Sequence, residues 1–310
     1  MRKLLIAYSP SGRNWKGSRG FSAWPVVYAQ NLFWLDDSWL ERGFMLITLT
    51  TDFGHRDPFV GIMKGVIAGI NPAAQVIDLT HGIPPQDIMA AALALRHSIK
   101  YFPPGTIHVV VVDPGVGGAR RPLLIGLAGT YFIGPDNGVL SLALNEGQPE
   151  QIIELTNAKY HLKAPAATFH GRDIFAPVAA HLSSGVPSAL FGDSLSSFVK
   201  LRIPQVTREQ RLLAGEIIYV DHYGNLFTNI SAHDLRGLSD KEPTIAVGSV
   251  KLDGLIRSYD SVAANQVGAL INSWGVLEIA VNQGNAAQKC RAKVGDKVTV
   301  ISVSRSGGGN

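Results

Sequence analysis

Residues 107–120 read IHVVVVDPGVGGAR: an almost wholly apolar, β-branched run that stops at an aspartate, a proline and three closely spaced glycines. Such a run, with no polar alternation, suits a strand covered on both faces, as in the middle of a parallel sheet. The flanking segments supply the rest of that sheet. Upstream, MLITLT (45–50) reads as a strand, DPFVGIMKGVIAGI (57–70) as a helix, and QVIDL (75–79) as a second strand. IMAAALALRHSIKYF (88–102) is helical and is stopped by Pro103-Pro104-Gly105. Downstream come shorter strands, PLLIGL and TYFIG, a helix near 138–146, and a further helix, IFAPVAAHLSSG, over roughly 174–185. This βαβαβ order predicts a doubly wound α/β domain, here bounded at 45–204.

After about residue 205 the texture changes. LAGEIIYVD, LFTNI, TIAVGSV, GALINS, VLEIAVN and DKVTVISV are short strands separated by Gly, Asn and Asp turns. That pattern predicts a smaller all-β, barrel-like domain over 205–305, with the boundary near Arg202–Arg208. Residues 306–310 read as a tail. The first 44 residues stand apart, because they hold four of the five tryptophans (Trp15, Trp24, Trp34 and Trp39) and keep neither period for long. They read as an extra segment, poorly ordered or a misassigned start.

Composition narrows the functional classes. At 46% hydrophobic and 17% charged residues the chain is globular rather than disordered. No apolar run reaches the roughly 18 residues of a membrane span. The single cysteine, Cys290, excludes an intrachain disulfide, and the cytoplasm is the expected compartment. The net charge of +4 is mostly carried by residues 1–44, which hold three more basic than acidic side chains. The remainder is nearly neutral and shows no basic stripe, so neither nucleic acid nor membrane is an expected partner.

In an open α/β sheet, ligands bind beyond the carboxyl ends of the strands. Thr51-Asp52-Phe53-Gly54, Thr80-His81-Gly82 and Asp113 to Arg120 follow the first three strands and should meet along one edge. Asp52 offers acceptors suited to a vicinal diol, or equally to the N–H groups of a helix start. Asp113, at the end of a very apolar strand, should be partly desolvated, a setting that makes a carboxylate a better base. Arg120 can fold back beside it across the glycine turn, either to hold a catalytic carboxylate or to brace the turn. His170, in Thr168-Phe169-His170-Gly171-Arg172-Asp173, opens a helix as a proton carrier or as a structural histidine. In the second domain, Tyr223 and Trp274 offer flat faces, and Asn225 the paired donor and acceptor that reads an adenine edge, although DxxGN is also ordinary turn chemistry. No metal-ligand spacing appears, and GVGGAR lacks the lysine of a triphosphate loop.

Taken together, LTTDFGHRDPFVGIMKGV, VVDPGVGGARRPL, GPDNGVL, ATFHGRDIFAPVAAHL, DHYGNLFTNI and NSWGVLEIAVN resemble the S-adenosyl-L-methionine hydroxide adenosyltransferases, relatives of bacterial fluorinase and chlorinase. The stretches stand in family order from Met45 to about Val303. The resemblance implies a homotrimer with sites between the N-terminal domain of one subunit and the C-terminal domain of the next. It implies a catalytic triad of Asp113, Arg120 and His170, and a ribose contact at Asp52. It places Asp221 and Ser273 around the methionine amino acid group, and Tyr223, Asn225, Tyr259 and Val281 on the adenine side; Phe169 and Trp274 join them as substrate contacts. Trp274 departs from the fluorinase, which has an arginine there, and Gln86 stands where the fluorinase has a tryptophan.

The implied activity is hydrolysis of S-adenosyl-L-methionine to adenosine and methionine, with no cofactor and no metal. The halogenating relatives carry uncharged or aromatic residues where Asp113 and His170 stand. A carboxylate there would repel a halide by roughly 4 kcal/mol at about 4 Å and an effective dielectric of about 20. Two alternatives remain open at this point: a halide-dependent synthase of 5′-halo-5′-deoxyadenosine, and a non-catalytic sensor of S-adenosylmethionine or adenosine.

Overall fold

The computed structural model describes residues 46–144, 147–236 and 243–302, so the expectations for residues 1–44 and 306–310 lie outside the described residues. The first half is an α/β layer structure. Its strands are β1 (Leu46–Thr51), β2 (Gln75–Thr80), β3 (Ile107–Val111), β4 (Pro122–Leu127), β5 (Thr130–Pro135), β6 (Gln151–Glu154) and β7 (Asp193–Ser194). Three helices pack on them: α1 (Phe59–Ile70), α2 (Ile88–Ser98) and α3 (Ala176–Ser183). The sheet order is β2-β1-β3-β5-β4-β6-β7. β3 lies between β1 and β5 and is parallel to both.

The apolar run is covered as its composition requires. Ile107, Val109 and Val111 pack with Val60, Met63 and Ile67 of α1 and with the buried face of α3. Val110 and Val112 point the other way, onto Ala90, Ala91 and Leu95 of α2. Strand alternation therefore feeds two cores from one strand. Beyond β5 the sheet turns antiparallel, because Ala128 and Gly129 both take positive φ (50° and 74°) and close a two-residue hairpin between β4 and β5.

The expected helix near 138–146 is instead one 3₁₀ turn, Ser141–Leu144, among the described residues. Gly138 sits at φ 96°, and the Ser141 hydroxyl donates to its carbonyl, a local bond that competes with helix propagation.

The second half is a nearly closed antiparallel barrel. Its strands are β8 (Thr207–Glu209), β9 (Leu212–Val220), β10 (Leu226–Ser231), β11 (Pro243–Val247), β12 (Val250–Asp253), β13 (Val267–Ile271), β14 (Val276–Val281) and β15 (Lys297–Ser302). They run in the order β12-β11-β15-β9-β10-β14-β13, with β8 beside β9. The two ends approach where the Ile256 N–H donates to the Ala269 carbonyl at 2.7 Å. Leu213, Ile217, Leu226, Ile245, Leu277, Ile279 and Val300 fill the interior. The halves meet where Ala92 and Leu93 of α2 pack on Ile218, with Tyr219 and Trp274 alongside.

Candidate active site

The carboxyl edge of the parallel strands gathers the polar groups. Directly after β3, the Asp113 carbonyl accepts from Val116 N–H at 3.2 Å and the Gly115 carbonyl from Gly118 N–H at 3.0 Å, so the chain doubles back. This returns Arg120 to Asp113. Its Nε donates to both carboxylate oxygens at 3.0 Å, and its Nη2 donates to Oδ2 at 2.5 Å. The pair is sequestered, with side-chain exposures of 9% for Arg120 and 5% for Asp113. Gly117 (φ 75°) is what lets this turn lie against the 166–170 segment, since a Cβ there would stand 2.3 Å from the Ala167 carbonyl oxygen.

The same Arg120 Nη2 lies 2.7 Å from His170 Nδ1. A guanidinium only donates, so Nδ1 presents its lone pair and the neutral imidazole carries its proton on Nε2. Burial lowers the His170 pKa, and the Arg120 charge lowers it further, against the opposing pull of Asp113 and Asp173. His170 is the N-cap of a π-helical turn, Gly171–Phe175, that runs into α3. Such turns recur at functional sites because they re-aim a side chain without ending the helix. Asp173, buried within the turn, binds the Arg172 guanidinium and the Ala166 N–H, which pins the loop before His170.

Asp52 follows β1 on the same edge, and its Oδ2 accepts from the Gln86 N–H at 2.8 Å. Gln86 itself holds φ 66°. Phe53, next in the chain after Asp52, meets Phe59 and Phe169 edge to face, and the three ring centroids lie 5.4–5.8 Å apart. Arg172 lies over the Phe169 ring at 5.1 Å.

The barrel carries a second group. Asp221 Oδ1 accepts from the N–H groups of Tyr223 and Asn225 at 2.9 and 2.8 Å, and Oδ2 from the Asn225 side chain at 3.0 Å. That turn leaves Tyr223 72% exposed. Tyr259 donates its hydroxyl to Glu278 Oε1 at 2.9 Å. Burial, together with the Glu278 bond and charge, pushes the Tyr259 pKa up to about 12. Burial likewise raises the Glu278 carboxyl. Val281 ends β14, and its carbonyl accepts from Gly284 N–H.

Trp274 has one face taken: His97 of α2 stacks on it at 4.0 Å and 6°. Burial, with Arg96 and Lys100 adding to it, drops the His97 pKa to about 4. Ser273 and Trp274 line a cleft of about 360 Å³ with Thr80, Ile83, His97 and Tyr219, where the two halves meet.

The family model for the SAM hydroxide adenosyltransferase N-terminal domain matches residues 47–192, and that for its C-terminal domain matches residues 215–299. The chain belongs to the SAM hydroxide adenosyltransferase family.

As a member of this family it is similar to an (R)-S-adenosyl-L-methionine hydrolase of Salinispora tropica, 37% identical over 82% of this chain and 97% of that one. It is also similar, at 28% identity over 84% of this chain and 98% of the other, to a fluorinase of Actinoplanes. A crystal structure of an uncharacterized conserved protein from Thermotoga maritima superposes with a TM-score of 0.77 at 37% identity, over 83% of this chain and 100% of the other. Relatives of this chain thus include both hydrolases and fluorinases.

Within one chain the candidate site residues fall into two sets. Asp113, Arg120 and His170 are joined directly, with Asp52 and Phe169 on the same edge. Asp221, Tyr223, Asn225, Tyr259, Ser273, Trp274 and Val281 stand on the barrel. Among the described residues no hydrogen bond, ion pair or ring contact links the sets. Glu278 and Phe59 join these groups without having stood among the sequence candidates, and Phe53 and Asp173 take contacts that the sequence alone did not assign. The lone acidic residue inside the apolar stretch VLEIAV is a signal for Glu278, whereas nothing in the sequence marks Phe59 apart from other apolar residues. Among the described residues no cluster of three or more His, Cys, Asp or Glu side chains is placed to hold a metal ion, and no helix is long and apolar enough to cross a membrane.

Proposed function

We propose that the protein hydrolyses S-adenosyl-L-methionine at C5′ to adenosine and methionine. The observation that carries this reading is the Asp113–Arg120–His170 cluster, a sequestered carboxylate and a neutral imidazole locked by one guanidinium. The greater identity to a named hydrolase than to a named fluorinase supports the same direction.

The sulfonium is already a good leaving group, so the chain's task is to place one water in line with the C5′–S bond. Asp113 accepts a proton of that water. The His170 Nε2–H donates to its oxygen and fixes its approach. As the O–C5′ bond forms, the C5′–S electron pair passes to sulfur, giving neutral methionine. The water proton leaves through the carboxylate, which the Arg120 guanidinium holds in place by its Nε and Nη2 contacts. Asp52 takes the ribose diol, with one oxygen held by the Gln86 N–H.

The separation of the two sets in one chain fits the trimer that the resemblance implies, with a neighbour's barrel closing over this sheet edge. Light scattering on the purified chain tests that assembly.

The second reading, halide attack, is favoured by the fluorinase relatives alone. Chromatography of the nucleosides formed from S-adenosylmethionine, in plain buffer and in high chloride or fluoride, separates the two. Adenosine in every arm supports hydrolysis; a 5′-halo-5′-deoxyadenosine that replaces adenosine as salt rises overturns it.

A further inference from the structure

A chain of side chains behind the ribose contact is left unused by the chemistry above. Thr51, at the end of β1, has a fully buried hydroxyl that accepts the Phe53 N–H at 3.2 Å and lies 2.9 Å from His81 Nδ1. His81 follows β2, and its side chain has no exposed surface. Its Nε2 stands 3.0 Å from Asp78 Oδ1, in a bent approach, and Asp78 Oδ2 takes Lys64 Nζ at 2.6 Å. The His81 carbonyl also accepts the Gly54 N–H at 2.9 Å.

These contacts have one geometric consequence. Asp52 is flanked by Thr51 and Phe53. Thr51 is fastened to the His81 ring, Phe53 to the Thr51 hydroxyl, and Gly54 to the His81 backbone. The donor and acceptor count is consistent: the hydroxyl oxygen accepts from Phe53, its proton goes to Nδ1, and the ring proton on Nε2 faces a carboxylate. Against the effect of burial, the Lys64 hydrogen bond and the nearby His81 ring hold the Asp78 carboxyl below its ordinary value, so that partner stays an anion. Lys64 sits on α1, so the chain of contacts runs from the helix surface through β2 to the turn that carries Asp52.

We propose that His81 is a positioning residue for the ribose site: through the Thr51 hydroxyl it fixes the Thr51–Gly54 turn so that the Asp52 carboxylate meets both hydroxyls of a nucleoside. This rests on the reading of Asp52 as the diol contact.

The test is calorimetric binding of adenosine, 2′-deoxyadenosine and 3′-deoxyadenosine to the full chain. A well-placed charged acceptor favours the nucleoside with both hydroxyls by about 10- to 100-fold. Asp52→Ala should bring that ratio to near one. His81→Phe, which keeps ring volume and loses both nitrogens, should also collapse it, as should the near-isosteric Thr51→Val. His81→Asn should restore it, because the amide places a polar atom where Nδ1 stood.

If His81→Phe and Thr51→Val weaken all three nucleosides equally and keep the wild-type ratio, His81 only braces the fold and the proposal is wrong. Should Thr51→Val alone stay folded, its ratio decides in the same way. A wild-type chain without discrimination, or an Asp52→Ala chain that keeps it, overturns the diol reading itself and the proposal with it.

Discussion

Arg120→Leu is the substitution that tests the site most sharply, because Arg120 bonds both the carboxylate and the imidazole. It removes the Nε contacts to both Asp113 oxygens, the Nη2 contact to Oδ2, and the Nη2 contact to His170 Nδ1. Asp113 is left 5% exposed with its charge uncompensated. Breaking a buried pair from one side costs about 3–5 kcal/mol. For a folded unit of this size that corresponds to a melting point lower by roughly 6–20 °C. Removing both charges in Arg120→Leu/Asp113→Leu leaves no uncompensated ion, so the double variant should be more stable than the sum of the two single losses, by about 1–3 kcal/mol.

Urea and thermal unfolding of the four proteins, followed by circular dichroism, provide the cycle. A second readout is the ring of His170. Without the Arg120 charge, burial still lowers its pKa, but Asp113 and Asp173 now pull unopposed, so the value should rise relative to the wild type in an NMR titration. Single-variant losses that simply add in the double variant, or a His170 titration that stays put or moves down, would refute the reasoning.

Other perturbations follow from the same geometry. Gly117→Ala places a methyl 2.3 Å from the Ala167 carbonyl at a positive φ, so the melting temperature should fall and, on the proposed hydrolysis, adenosine release with it; a variant that melts like the wild type contradicts the close approach. His108, paired with Thr48 at 2.8 Å, is held by burial at a pKa of about 4. The unfolded chain binds that proton near pH 6.5 and the folded chain does not, so stability is full above that pH. It drains as pH falls toward 4, by about 1.4 kcal/mol per unit for this histidine. In His108→Asn the slope of urea stability against pH should be smaller by that amount, and equal slopes would count against it. Tyr259→Phe strips Glu278, which has no exposed surface, of its hydroxyl donor and should cost about 1–3 kcal/mol in urea unfolding; no loss would mean the bond contributes nothing.

Much of the architecture could be read from local pattern. The 107–112 run had no polar alternation, and both its faces are covered. The βαβ order placed Asp52, His81 and Asp113 after successive strands, hence at one edge, because parallel strands all present their carboxyl ends together. The antiparallel half of the sheet was not legible, since it depends on Ala128 and Gly129 both taking positive φ. The helix near 138–146 failed because a serine hydroxyl and a glycine that packs on Leu201 compete with the periodic apolar pattern.

By itself the sequence determined which residue types stand after each strand, and the order of its motifs sufficed to place the chain among the adenosyltransferases. Only the tertiary structure decided which of these side chains touch. Sequence left open what Arg120 touches, and its Nη2 reaches both Asp113 and His170 because the 115–118 turn closes onto a segment fifty residues away. One face of Trp274 is taken by the stacked His97 ring, and the His81 ring meets side chains on two strands, Thr51 of β1 and Asp78 of β2. Periodicity and composition are properties of neighbours along the chain, whereas a hydrogen bond between distant residues exists only once the layers have packed and set both its ends.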